Sequence, residues 1–210
     1  MSGNAYERQL YTGTFVGADG TRSSGRASRT GEQVVSQNHG QYYKGASRGK
    51  IFMANAIVTA PVIWTTEAGT GGPLIWNGSS SVVVNVLAVG FGISVVSTVA
   101  GGLGITQGYG QTDAPTSTTA IDNTICMNGT ATASAATAYR VGTTGTNRSF
   151  FPLMSVYTGA LTTSPGDVQW VRLDGLISVP YQGFVSIAAS ATLSTLVVNC
   201  AIIWEEVPVS

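Results

Sequence analysis

Charged side chains are scarce in this sequence. Asp, Glu, Lys and Arg make up 10% of its 210 residues, against roughly 25% in a typical soluble domain. Because surface charge keeps a folded chain soluble and separate from its copies, a chain with so little of it is poorly suited to exist as a monomer. The scarcity therefore predicts that much of the surface is covered in an oligomer or a larger assembly.

Histidine is scarcer still, since His39 is the only one. A two-histidine metal site cannot form, and the sequence contains neither HExxH nor CxxC. Residues 45–49 match G-x-S-x-G around Ser47, but a nucleophile elbow needs a strand before it, a helix after it and a later histidine. Glu205 and Glu206 are neighbours in a predicted strand, point to opposite faces and are interpreted as a solvated strand end. We therefore expect no catalytic residue, no metal site and no cofactor, and a protein that is not an enzyme.

The two cysteines, Cys126 and Cys200, lie far apart in the chain. A disulfide between them is possible, but two buried free thiols are the preferred interpretation because nothing else marks a disulfide-rich secreted protein. The first residues lack the basic and apolar segments of a signal peptide, so we expect no export by that route. The Asn-X-Ser/Thr triplets at Asn77, Asn128 and Asn147 are accordingly interpreted as chance.

Residues 68–112 contain no charged side chain, and Val82–Ile105 within them is long enough to span a bilayer. The run nevertheless contains Asn85 and five glycines, and no basic residue flanks it. Two adjacent buried strands explain it better than a membrane helix.

Residues 1–50 are predicted to form an extended basic arm that is not a folded domain. They hold seven Lys or Arg and three Asp or Glu, whereas residues 51–210 hold three and seven. The Gly, Ser, Thr, Arg and Gln between residues 12 and 49 show no helical or strand period and cannot bury enough apolar surface to fold alone. Phe15, Tyr42 and Tyr43 are the predicted anchors on a partner surface. Acidic protein is preferred as that partner over nucleic acid.

Residues 51–210 are predicted to form one all-β domain. Eight to ten short apolar segments alternate with Gly, Pro, Ser and Thr, and no amphipathic helix interrupts them, which is typical of a β-sandwich or barrel. The glycine-rich segment 101–110 is expected to let backbones pack closely. Further predicted strands include Ile51–Val58, Pro61–Thr65, Val82–Ile93, Ser94–Val99 and Val168–Leu173.

The last predicted strand is apolar on both faces. One face carries Leu196, Val198, Cys200, Ile202 and Trp204, at every second position. The other face is also mostly apolar and must be covered by something besides the sheet's own core. We predict that its residues Val197, Ala201 and Ile203 lie at a contact between subunits.

Three short motifs resemble those of tailed-bacteriophage virion proteins that carry a compact jelly roll of the tumour-necrosis-factor/C1q type. They are Leu74 to Gly78 leading into Val82–Ile93, then Asp174 to Pro180, and finally Ile202 to Glu206. The resemblance spans about residues 60–207. It implies a jelly-roll β-sandwich, a homotrimer around a three-fold axis, and a place on the virion. The extended arm that precedes the sandwich departs from the family's pattern.

The expected function is that of a trimeric capsid cement or decoration protein. Its arm would bind the major capsid protein or a neighbouring virion protein, and neither nucleic acid nor a membrane is an expected partner. A tail or fibre adaptor or a receptor-binding component is the alternative within the same class. A secreted C1q-like ligand or glycan-binding module is the alternative from another class, and it predicts glycosylation and a Cys126–Cys200 disulfide.

Overall fold

The computed structural model describes residues 42–65, 70–110, 114–121, 124–129, 132–143, 148–156 and 168–209. Most of the predicted arm, including Phe15, lies outside these residues. The described residues form one short helix and eleven strands: α1 (Tyr43–Ser47), β1 (Ile51–Thr59), β2 (Thr70–Asn77), β3 (Val82–Val95), β4 (Gly101–Gly108), β5 (Thr116–Ala120), β6 (Ile125–Cys126), β7 (Thr137–Thr143), β8 (Arg148–Val156), β9 (Val168–Val179), β10 (Gly183–Ala189) and β11 (Val197–Pro208).

The strands form two antiparallel sheets that pack face to face as a β-sandwich. The first sheet has the order β6-β1-β11-β3-β9, and the second has the order β5-β7-β2-β10-β4-β8. From β1 to β4, and again from β8 to β11, successive strands alternate between the two sheets. This alternation is the strand order of a jelly roll. The predicted all-β sandwich is confirmed.

The centre of the first sheet is β11, which pairs with β1 along one edge and with β3 along the other. Its predicted core face is confirmed, because Val198, Cys200, Ile202 and Trp204 are all buried. Trp204 lies opposite Phe52 of β1, and their rings stack with centroids 5.9 Å apart. Apolar side chains of the second sheet complete the same cluster, among them Leu103, Ile105, Val185 and Ile187.

Helix α1 occupies the last part of the predicted extended arm. It ends at Ser47 and is followed by Gly49, whose φ of 67° lies in the left-handed region that a glycine adopts without strain. In this conformation the Gly49 N–H donates to the carbonyl of Ala46 and the Lys50 N–H donates to that of Gly45, both at 2.9 Å. The compact body accordingly begins at Lys44, several residues before the predicted boundary at 51.

Two predicted strands are not strands of their own. β3 continues to Val95, and the following residues turn where the Val99 N–H donates to the hydroxyl of Ser97 at 3.0 Å. The predicted strand Pro61–Thr65 is reduced to an isolated parallel bridge between Ile63 and Ala189. The uncharged run Val82–Ile105 does form two strands, β3 and β4. No helix among the described residues is long and apolar enough to cross a membrane.

The glycine-rich strand β4 does let two backbones approach closely. A Cβ at Gly104 would overlap the carbonyl oxygen of Phe151 in β8, at the point where the ladder between these strands shifts by one residue. The residue after Phe151 is Pro152, which lacks an N–H and is tolerated because β8 is an edge strand. The close approach therefore lies between neighbouring strands of one chain.

The prediction that both carboxylates near the end of β11 are solvated is wrong for Glu206. Its side chain is buried and accepts hydrogen bonds from the backbone N–H groups of Ala135 and Ala136, each at 3.1 Å, and from the Ser134 hydroxyl at 2.5 Å. A buried carboxylate is tolerated when such donors replace its water. Glu206 thereby fixes the segment before β7 to the end of the last strand.

Replacement of Glu206 by alanine should destabilise the fold far more than the same change at Glu205. Two backbone N–H groups would lose their acceptor, and hydrogen bonds to charged groups contribute about 1.5–3 kcal/mol each. We expect Glu206→Ala to lower the free energy of unfolding by about 3 kcal/mol and Glu205→Ala by less than about 1 kcal/mol, measured by urea denaturation. Equal losses for the two variants would contradict this role.

Candidate functional site

The outer face of the first sheet, defined as the side turned away from the sandwich core, carries the predicted contact residues. Ile203 lies between Met53 of β1 and Ala88 of β3, and Ala201 lies between Asn55 and Gly90. Val197, Ala201 and Ile203 are all half-buried and share this face. The structure therefore brings the three predicted residues together on one surface.

Trp170 of β9 lies flat on this outer face. It pairs with Gly90 of β3, and three atoms of its indole ring are 3.0–3.1 Å from where a Cβ of Gly90 would be. The next outward pair along the two strands joins Val168 to Gly92. The glycines leave room for the two large side chains, which extend the apolar surface across the edge of the sheet. Sequence reasoning missed Trp170 as a site residue, although two glycines at alternate positions of an apolar strand were a signal.

A groove of about 370 Å³ crosses the outer face between Ile57 of β1 and Trp170 of β9. None of the residues that line it carries a charge, and its exposed polar groups are the side chains of Asn55 and Asn199. The Asn199 amide donates to the Ser94 hydroxyl at 3.0 Å. The lining is Asn55, Ala56, Ile57, Gly90, Phe91, Gly92, Val168, Trp170, Asn199, Cys200 and Ala201. Such a groove offers mainly apolar contact, because the one thiol in its lining, that of Cys200, is buried.

The large apolar side chains on this face are strongly exposed. The exposed fractions are 57% for Ile57, 67% for Val168, 51% for Trp170 and 78% for Leu176. Together they leave on the order of 400 Å² of apolar surface open, since a large aromatic side chain buries about 150–250 Å² when fully covered. The largest apolar patch on a soluble monomer is roughly 300–600 Å² and is often functional, so this face is the leading candidate for an interaction site.

Helix α1 covers one end of the outer face. Ile51 faces outward beside Glu205, yet it is buried, because Gly45 of α1 lies against both side chains. Of the predicted arm anchors, Tyr42 is half-buried and Tyr43 begins α1. The side chain of Tyr43 and the whole of Phe15 lie outside what the structure describes, so their anchoring role stays a prediction.

The G-x-S-x-G match has a different context from a nucleophile elbow. Ser47 ends α1, and β1 follows it, so the order is helix, turn, strand where an elbow has strand, turn, helix. His39 lies outside the described residues. Within the described ranges, no group of three or more His, Cys, Asp and Glu side chains could hold a metal ion.

Both cysteines are buried, and neither is in a disulfide. Cys126 lies opposite Phe52 of β1, and Cys200 lies opposite Ala56 on the other side of that strand. An offset of four residues along a strand is about 13 Å, whereas the Cα atoms of a disulfide are within about 7 Å. The two thiols therefore cannot bridge in this fold.

Asn77 has a structural role in the first motif of the resemblance. Its side chain is fully buried, and its Nδ2 donates to the carbonyls of Val82 at 2.9 Å and Val179 at 3.0 Å. Its Oδ1 accepts from the Ser79 N–H at 3.2 Å. The amide thus joins the turn between β2 and β3 to the end of β9. No glycan can be attached to it in the folded chain, because both amide hydrogens are donated to backbone.

Comparisons with protein-family models, with curated proteins and with solved structures find no match for this chain. The proposals below rest on the described residues together with the sequence motifs.

Cys200 should be inert to thiol reagents in the folded protein. Its burial raises the pKa of the thiol from 9.0 to about 12, and the thiolate is the reactive form. At pH 8 we expect iodoacetamide to leave Cys200 of the native protein unmodified. Peptide mass spectrometry would measure the extent of modification. In urea without reductant both cysteines should be alkylated. Failure of Cys126 and Cys200 to react in urea until a reductant is added would show a disulfide and contradict the fold.

Proposed function

We propose that this protein is a non-enzymatic virion structural protein, a trimeric capsid cement or decoration protein whose jelly-roll body associates through the outer face of the first sheet. The observation that carries the proposal is the largely apolar outer face on which Ile57, Ala201, Ile203 and Trp170 lie, with Asn55, Asn199 and Arg172 among its exposed polar groups. A monomer has no use for such a surface, and it lowers the solubility of a chain already poor in charge.

The size of the patch favours a protein partner over a small ligand. A standard interface covers about 800 Å² on each partner, and roughly 56–65% of it is apolar. The four large side chains expose on the order of 400 Å² of apolar surface. Together with the half-buried residues around them, they approach the apolar area on one side of a standard interface. Depletion of charge with enrichment of an aromatic side chain is the composition found at interface centres.

The virion role and the number of copies come from the resemblance to phage jelly-roll proteins. The observed strand order and the structural role of Asn77 support that resemblance. The secreted alternative loses its Cys126–Cys200 disulfide, because the two cysteines are too far apart to bridge, and it loses Asn77 as one of its three glycosylation positions. In the proposed arrangement the basic arm fastens the trimer to an acidic surface of the shell.

A single carboxylate on the outer face should dissociate the trimer. We expect wild-type protein to sediment at about 65 kDa, three times the chain mass of 21.6 kDa. Ile203→Asp should raise the dissociation constant by at least about a hundredfold, because an unpaired charge would be buried at the contact. The matched control is Tyr109→Asp, which adds a carboxylate at an exposed side chain beyond the end of β4 and should leave the mass unchanged. Wild-type protein that sediments only as a monomer at micromolar concentration would refute the trimer.

Labelling of purified phage particles with an antibody against residues 51–210 should show where the protein lies. Signal spread over the shell in electron micrographs is expected for a cement protein. Signal at one vertex would instead support a tail or fibre component, and unlabelled particles would refute a virion role. Deletion of residues 1–41, which retains α1, should abolish attachment to the shell while the trimer persists. Attachment of the shortened protein would contradict the role of the arm.

A further inference from the structure

β9 carries an outward turn in the middle of an otherwise regular strand. Arg172 pairs with Ala88 of β3 and Ile177 pairs with Val86, so residues 173–176 all lie opposite one residue of β3. The chain turns at Asp174 and Gly175, whose φ angles of 47° and 84° both lie in the left-handed region. The turn is held on both sides of the sheet: Leu173 packs against the core, and Arg172 pairs with Asp174 at 3.2 Å on the surface.

This turn presents Leu176 to solvent. Ile177 and Val179 are buried in the core, so the alternation of the strand directs Leu176 to the outer face, where it is 78% exposed. The turn itself requires only the positive φ angles of Asp174 and Gly175, and a polar residue after them would serve it equally well. The apolar side chain at this position is therefore available for a contact outside the chain.

Leu176 cannot fill the groove of its own molecule. Trp170 forms one wall of that groove opposite Gly90, and Leu176 lies beside Leu87, three positions further along β3. Three residues of a strand span about 10 Å, well beyond the reach of a leucine side chain. The groove of about 370 Å³ has space for such a side chain, because one water occupies only about 30 Å³ in the liquid.

We infer that Leu176 of one copy inserts into the groove between Ile57 and Trp170 of the next copy. The inference rests on the proposed trimer and names its contact. The projecting residue and the groove are separate patches, so each contact joins different residues of the two copies, as a head-to-tail contact in a ring does. Strand addition is disfavoured as the mode of contact, because the turn at Asp174 and Gly175 interrupts the free edge of β9.

Disulfide cross-linking tests the contact directly. The double variant Leu176→Cys/Ile57→Cys places one thiol on the projection and one in the groove wall of every copy. Mild oxidation should convert it to covalent trimers, seen on non-reducing gels, in at least tenfold higher yield than the control pair Tyr109→Cys/Ile57→Cys. The single variants Leu176→Cys and Ile57→Cys should also be mixed before oxidation. Because every bond joins two different copies, the mixture should give covalent dimers that contain one copy of each variant.

The outcomes separate this inference from the proposed function. Wild-type trimers by sedimentation, with no cross-link above the control in the double variant, would overturn the Leu176 contact and leave the trimer standing. Cross-linking of the double variant that stops at covalent dimers would overturn the head-to-tail arrangement. Wild-type monomers would overturn both. Leu176→Asp should weaken assembly as Ile203→Asp does, while Leu176→Met should retain it, because methionine can occupy the same apolar groove.

Discussion

The whole structure depends on β11 being apolar on both faces while the sandwich can cover only one of them. β11 lies between β1 and β3 and forms hydrogen-bonded ladders along both edges. Trp204 and its alternate neighbours fill the core on the inner side. Ala201 and Ile203, one residue out of phase, must then lie on the outer side. Because pairing fixes the strand in its register, the outer residues are presented in a rigid, flat array suited to contact another rigid surface.

The edge of the first sheet shows how such a surface can be kept from random association. Val168 and Trp170 extend the apolar array onto the last strand, where the glycines of β3 leave space for them. A long apolar edge strand invites pairing with any other strand. The turn at Asp174 and Gly175 breaks the line of free backbone groups and places an exposed Arg172–Asp174 ion pair beside it. Contact through side chains remains possible, whereas extension of the sheet along this edge is hindered.

The all-β fold and the core face of β11 could be predicted because period-2 alternation is a local property of the sequence. Three features could not. The Asp174-Gly175 pair signals a turn, but only the register with β3 shows that the turn lies within one strand. Glu206 has the sequence context of a strand end, and its burial depends on N–H donors some seventy residues away. Trp170 lies outside the core because Gly90, distant in sequence, makes room for it.

The two outer faces of the sandwich differ in a way that bears on function. On the second sheet, Leu74, Trp76 and Phe184 form a buried cluster on the outer side, and every residue of β10 is buried. On the first sheet, apolar side chains beyond the reach of α1 stay open. Because side chains alternate between the two faces of a strand, those on the outer face do not pack in the core. Threonine or serine in place of Val197 or Ile203 would therefore preserve the fold and improve solubility. Apolar residues there are not required by folding, which supports the proposed subunit contact.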